Sequence, residues 1–279
     1  MEMSIIIVAY NSNEVLLPCL RSIHEQNVLG MQLEVIIVDN SPNTRLSYLL
    51  QQNVFNFELQ YVSNHTNTGF GAGNNKGVQI ARSQVLMFLN PDTIVNCDIF
   101  TPTLKRIQEN NNEVVGYTLT DLDGRLTDSY SFFFEYFWLF PILKLMQKCD
   151  FYFVNRIHFA NRLCWPWGAA FSVSKTAFCQ AGMFDENIFL CNEEPDLMHR
   201  MPSRHITILP EQIIHLEGHG RSVSEERYYQ SFCSLQYYFK KHKVWSGLYW
   251  WMFGLKIQFG HSATNLRRAY QRFRKESKL

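Results

Sequence analysis

The run Val85-Leu86-Met87-Phe88-Leu89 goes straight into Asn90-Pro91-Asp92-Thr93. A short unbroken apolar run bounded by turn residues reads as a strand buried on both faces of a parallel sheet. Proline cannot donate to a ladder, so Pro91 ends that strand. Asp92 is thereby placed at the carboxyl end of a central strand, where ligands of open α/β sheets bind. A carboxylate there can hold Mg²⁺ or Mn²⁺ beside a phosphorylated ligand, because both ions favour oxygen ligands and share them with phosphate. The plainer alternative is a turn aspartate before the next helix, 98–110.

The preceding segments say what kind of sheet this is. A β-branched run over 4–11 opens the chain as a buried strand. Leu16, Leu17, Leu20 and Ile23 then recur at helical spacing within 14–26. A second strand over 33–38 ends in Asp39-Asn40-Ser41, a short helix covers 46–52, and a third strand over 59–62 ends at Asn64. A helix over 74–83 leads into the run at 85–89. Strand and helix patterns thus alternate four times in roughly 90 residues, which predicts a doubly wound, mostly parallel α/β sheet. Three strand ends carry polar clusters, and this architecture lines them along one crevice. The chemistry suits a nucleotide: Tyr10 can stack on a base, and Asp39 can accept from a ring N–H or a ribose hydroxyl. The glycines of Asn67-Thr68-Gly69-Phe70-Gly71-Ala72-Gly73-Asn74 read as a loop whose backbone approaches a diphosphate-sugar, or as a plain connector. No glycine follows the first strand, so the dinucleotide fingerprint is absent.

Apolar content of 46% and charge of 18% describe an ordinary core with no disordered character. The seven cysteines are odd in number, scattered and free of any C-x-x-C, which favours reduced thiols in a cytoplasmic protein over zinc or disulfides. The N-terminus enters a strand without a basic stretch, so no signal peptide is expected, and no apolar run is long enough to span a bilayer. The charge is uneven. From Lys240 onward ten Lys/Arg face the single acid Glu276, so that segment carries +9 and the remainder −8 within an overall +1.

Taken in order, Ile-Val-Ala-Tyr-Asn-Ser, Val-Ile-Ile-Val-Asp-Asn-Ser, Asn-x-Gly-Phe-Gly-x-Gly-x-Asn-x-Gly and Phe-Leu-Asn-Pro-Asp-Thr resemble the family 2 inverting glycosyltransferases of the GT-A fold, nearest the bacterial rhamnosyltransferase-like branch. The resemblance covers about residues 3–225. It implies that Ala9, Tyr10, Asn11 and Asp39 hold the nucleotide base. It also implies that the donor nucleotide-sugar, dTDP- or UDP-linked, extends over Asn64, Gly69, Phe70, Gly71, Asn74, Asn90 and Asp92. The family's Asp-x-Asp metal motif stands here as Asn90-Pro91-Asp92, which leaves Asp92 as the metal ligand. The segment 165–173 reads as one strand entered through a tight backbone, and by resemblance Trp167 and Gly168 meet the acceptor.

Glu193-Glu194-Pro195-Asp196 gathers three carboxylates whose repulsion needs an offset from a ligand, a metal or a helix terminus. By resemblance Glu194 is the catalytic base, with Glu193 and Asp196 beside the acceptor. Pro195 puts it near a helix start, and an acidic helix start is the plainer reading. The matching histidine, a metal or diphosphate ligand, is His215, with His219 as the alternative.

Two aromatic stretches remain. Residues 132–140 read as core or lid, or as a surface for a membrane or lipid-linked acceptor. The segment 226–279 reads as a basic, aromatic helical tail appended to a glycosyltransferase domain over 1–225, itself a donor half (1–95) and an acceptor half (96–225). Its Trp and Tyr suit an anionic membrane surface, and packing on the domain or in a homo-oligomer is the alternative. Nucleic acid is not expected, because no RNA-binding module pattern occurs. The expected activity is metal-dependent transfer of rhamnose or a hexose to a cell-surface glycan or lipid-linked acceptor. A nucleotide-sugar-binding protein without turnover is the competing reading.

Overall fold

The computed structural model describes residues 1–279 except 43–44, 157, 202, 217–222, 260–262 and 278–279. In chain order the first half runs β1 (Met3–Ala9), α1 (Leu16–Gln26), β2 (Leu33–Asp39), α2 (Arg45–Gln51), β3 (Glu58–Ser63), α3 (Phe70–Ile80), β4 (Val85–Leu89), β5 (Thr93–Val95), α4 (Phe100–Glu109) and β6 (Glu113–Thr120). Then come β7 (Tyr130–Phe132), a 3₁₀ turn (Phe134–Leu139), α5 (Phe140–Cys149), α6 (Phe153–Arg156), α7 (His158–Leu163), β8 (Cys164–Pro166) and β9 (Ala170–Ser174). The chain finishes with α8 (Lys175–Gln180), α9 (Glu193–Arg200), β10 (His205–His215), α10 (Glu225–Lys241), α11 (Gly247–Phe259) and α12 (Thr264–Ser277).

Eight strands form one sheet in the order β3-β2-β1-β4-β9-β6-β10-β5, and β7 pairs with β8 apart from it. The first four strands are parallel; β9 runs antiparallel between β4 and β6. This is the mixed, mostly parallel α/β sheet that the alternating pattern predicts. Along β1, Ile5 and Ile7 enter one apolar layer with α1 and α4, and Ile6 enters the other with Val78, Phe178 and Leu197. Two covered faces explain why the strands read as unbroken apolar runs.

Two elements differ from expectation. The glycine-rich segment is not a loop: α3 begins at Phe70 and takes in Gly71, Gly73 and Asn74. Packing overrides the poor helix propensity of glycine here. A Cβ at Gly77 would lie 2.5 Å from the Ile6 side chain, so the glycines let α3 lie close on the sheet. The expected strand over 165–173 is two strands in different sheets, broken at Trp167–Ala169. Pro166, which has no N–H to donate, marks the break.

The C-terminal helices have a core of their own, in which Phe232, Phe239, Trp250, Tyr270 and Phe273 are buried together.

Candidate active site

Register sets the donor edge. The β1–β2 ladder ends at Ala9 opposite Asp39, and Asp39 is opposite Ser63 in β3. Beyond these ends Asn11 takes a left-handed φ of 52°, which turns the chain over the edge while its N–H donates to Ser41 Oγ at 2.8 Å. Tyr10 stands 51% exposed at this lip, free to lie against a flat ligand.

Asp39 is fully buried. It accepts from the Tyr61 hydroxyl at 2.8 Å and from the Ser41 N–H at 2.9 Å. Asn64 donates from its backbone to the Asp39 carbonyl and from its amide to Asn40 Oδ1 at 2.7 Å, and it accepts from Lys76. Asn40, Tyr61 and Lys76 thus belong to this edge although sequence reasoning did not select them. Asn40 stood inside a polar cluster already singled out, and Tyr61 is two residues before the end of a strand.

The glycine segment plays another part than expected. Gly69, at φ 91°, caps α3 and lies so close to the Phe189 carbonyl that a Cβ would sit 2.5 Å from it. The Phe70 N–H donates to that same carbonyl at 3.1 Å. Asn74 is buried and donates to the Phe70 carbonyl at 3.0 Å within its own helix. Gly69, Phe70 and Gly71 therefore dock α3 against the 184–191 segment, and the neighbouring Asn75 donates to the Phe184 carbonyl at 3.0 Å.

At the far side of the crevice β10 runs antiparallel to β5, pairing His215 with Thr93. Leu216 N–H donates to the Asp92 carbonyl, and His215 Nε2 lies 3.4 Å from Asp92 Oδ1. Asn90 donates its N–H to the Ala169 carbonyl at 2.8 Å, and its own carbonyl accepts from Thr93. No group of three metal-ligating side chains stands together among the described residues. The Asp92–His215 pair still fits Mg²⁺ or Mn²⁺, ions that take one or two protein ligands and complete their shell with phosphate oxygens and water. A cavity of about 290 Å³ lined by Asp121, Asp123 and His215 opens beside the pair. His219 lies outside the described residues.

The third part is the start of α9. Cys191 and Asn192 both take left-handed φ values, 65° and 72°, immediately before Glu193. Consecutive non-glycine residues in that region are strained and mark a site whose geometry the surroundings impose. The strained turn aims Glu194 at Gly168, where a Cβ would overlap its carboxylate. Burial pushes the Glu194 carboxyl up to about 7. Glu193 points elsewhere, toward Gly71 of α3, and is buried with Oε1 unpartnered. Burial, then the neighbouring Glu194, hold its carboxyl well above the usual range. Trp165 and Trp167 stack at 6.2 Å with both indole N–H groups buried and without partners.

Asp196, expected beside the acceptor, stands in an ion-pair network. It is fully buried and faces α10, receiving Lys241 at 2.6 Å, Arg200 at 2.7 Å and His242 at 2.8 Å. Burial pushes this carboxyl up, but the His242 and Lys241 hydrogen bonds and the Arg200 charge outweigh it and hold it low. His242 stacks on His199 at 4.4 Å, and His199 pairs with Glu135, which also accepts from Tyr238. Glu193, also expected beside the acceptor, is closed in under α3.

Comparison with known proteins agrees with this geometry. A family model described as Glycosyl transferase family 2 matches residues 4–183. The chain is 22% identical over 239 residues to the low-salt glycan biosynthesis hexosyltransferase Agl10 of Haloferax volcanii, covering 83% of this chain and 71% of that one. It is 30% identical over 115 residues to an uncharacterized glycosyltransferase, YfnE, of Bacillus subtilis, and that match covers 41% of this chain and only 29% of the relative. The crystal structure of GalNAc-T7 with UDP, GalNAc and Mn²⁺ superposes with a TM-score of 0.62 at 16% identity, covering 99% of this chain and 55% of that one. That likeness shows a shared GT-A fold.

Proposed function

The chain belongs to glycosyl transferase family 2, and from that premise we propose that it moves a hexose or rhamnose from a UDP- or dTDP-sugar to a cell-surface glycan or lipid-linked acceptor, with inversion. The carrying observation is Glu194: a buried carboxylate at a helix start, aimed across Gly168, paired with no cation among the described residues. A group pushed up to about 7 is matched to taking a proton near neutral pH. In the transfer the acceptor oxygen forms a bond to the anomeric carbon while the bond to the nucleoside diphosphate breaks. The acceptor proton passes to Glu194. Tyr10 and the Asp39–Tyr61–Asn64 edge orient the base and ribose, and the indoles of Trp165 and Trp167 flank the acceptor. Asp92 and His215 would hold Mg²⁺ or Mn²⁺, which when bound offsets the charge of the leaving diphosphate. UDP and Mn²⁺ in the GalNAc-T7 structure support this donor side, and the glycan role in Agl10's name supports the acceptor class. The basic C-terminal helices support a position against an anionic membrane surface, at the inner face of the cell membrane.

The test is thermal unfolding with UDP, dTDP and GDP, each with and without Mn²⁺. A ligand at a hundredfold its Kd adds about 2.7 kcal/mol. The expected result is a Mn²⁺-dependent rise with UDP or dTDP that Asp92→Ala abolishes. If no nucleotide moves the melting temperature, the donor pocket is wrong. One observation favours a second reading, a nucleotide-sugar binder without turnover: Asn90 stands where the family motif has an acid. Tight donor binding with no transfer over a broad acceptor panel would decide for it.

A further inference from the structure

Two exposed apolar surfaces lie side by side on this molecule. The 3₁₀ turn and α5 expose Trp138 (64%), Ile142, Leu145 and Met146. The start of the C-terminal hairpin exposes Trp245, and α11 exposes Trp251 (62%), Met252 and Leu255. Tyr249 of α11 meets Phe134 and Phe137 of the turn edge-on, with ring centroids 6.0 and 6.2 Å apart, so the two elements are neighbours. Their inner sides are already committed: Leu143 packs into the core beside the sheet, and Trp250 and Ile257 into the C-terminal core. The outward residues are thus a second apolar face on elements whose first face is satisfied.

α11 is apolar around most of its circumference, with Lys256 its one charged residue over Gly247–Phe259. Such a helix is normally enclosed by protein or lipid. No helix among the described residues is long and apolar enough to cross a membrane, so lying in the interface is the available geometry. Tryptophan at such a face suits the headgroup level.

Charge identifies the occupant. α5 carries Lys144, which pairs with Asp128 at 2.9 Å, and Lys148, and no acid. α12 presents Arg267, Arg268, Arg274 and Lys275 outward, while its one acid, Glu276, is engaged by Arg272 and Tyr229. A second copy would bring the same positive excess against itself, whereas an anionic lipid surface complements it.

We propose that the 3₁₀ turn with α5 and α11 together form one lipid-inserting face that seats the enzyme in the headgroup layer of an anionic bilayer. Both elements supply apolar anchors, and the basic side chains of α5 and α12 lie over anionic headgroups. The proposal deepens the membrane placement given above and rests on that reading for its purpose. Its test reads lipid binding alone, so it can fail while the transfer reaction stands.

The full chain is sedimented with vesicles of phosphatidylcholine alone and of phosphatidylcholine with phosphatidylglycerol, and tryptophan emission is recorded. Two variants are compared, Ile142→Ser/Leu145→Ser and Trp251→Ser/Met252→Ser. All four positions are exposed, so melting temperature and the nucleotide-induced shift serve as controls for folding. The wild type is expected to bind the anionic vesicles with a blue shift in emission, and each variant to partition about tenfold less from lost apolar insertion. Three outcomes would overturn the proposal. The wild type binds neither vesicle; both variants bind like the wild type; or light scattering shows a dimer that both variants dissolve.

Discussion

Glu194 and Asp196 are two residues apart in the first turn of one helix, and both are buried, yet they do opposite things. Asp196 gathers Arg200, Lys241 and His242 and is held below the usual carboxylate range. Glu194 has a glycine opposite and no cation among the described residues, and burial pushes its carboxyl up to about 7. Like charges in one turn must be offset, and here every such partner falls to Asp196. The paired carboxylate anchors the helix to α10, and the unpaired one keeps the raised pKa that the proposed base requires. The C-terminal segment, expected as an appended tail, supplies Lys241 and His242 to the helix that carries the proposed base.

The comparison breaks most visibly at Glu194. Glu194→Gln keeps the shape and removes the base, so kcat should fall about a thousandfold, within the range general-base groups supply. Nucleotide-induced stabilisation should be unchanged. Turnover close to wild type would assign the base to another residue. Asp196→Asn tests the anchor. Arg200 and Lys241 lose an ion-pair partner and His242 a hydrogen-bond partner, and breaking buried pairs of this kind costs about 3–5 kcal/mol. Urea unfolding should show that loss, and a change below about 1 kcal/mol would mean that the network does not hold α9. Gly168→Ala sharpens the contrast from the other side. Its Cβ would overlap the Glu194 carboxylate and must displace it. Since small misplacements of catalytic groups are costly, kcat should fall about tenfold or more, with donor binding intact.

Much of the fold could be read from the chain because strands buried on both faces write themselves as unbroken apolar runs. The break at Pro166 was also written there, in a residue that cannot donate, yet the apolar content on either side of it reads as one strand. The start of α3 was not legible, since glycine argues against a helix by propensity and only contact with Ile6 explains why glycine is needed. At the site, Asp92 follows from strand position, but its partner His215 arrives by β10–β5 pairing, a long-range event that no local pattern announces. The partners of Asp196 are illegible for the same reason. His242 is 46 residues downstream, and nothing local distinguishes a carboxylate that will be neutralised from one that will be left alone. The strained pair Cys191–Asn192 had no signal in residue type beyond asparagine's tolerance of left-handed backbone.

The smallest expected effect separates the two carboxylate types by stability alone. Glu193 is buried without a partner for Oε1, and its carboxyl is held above the usual range by burial and by Glu194. Its folded pKa therefore exceeds its unfolded value of about 4.3. Between the two the folded chain binds more protons than the unfolded chain, so this group's contribution to stability falls as pH rises through that window. Asp196 has the opposite sign. Its lowered pKa contributes stability above its unfolded value, and that contribution is lost as pH falls through the folded one. Glu193→Gln removes the first effect and leaves the second. In urea unfolding the variant should match the wild type at about pH 4 and gain on it as pH rises, by about 1.4 kcal/mol for each step of one in pH within that window. A difference that stays constant with pH would mean that Glu193 is ionised and partnered in the folded protein, and that the division of labour along this helix is drawn at the wrong residue.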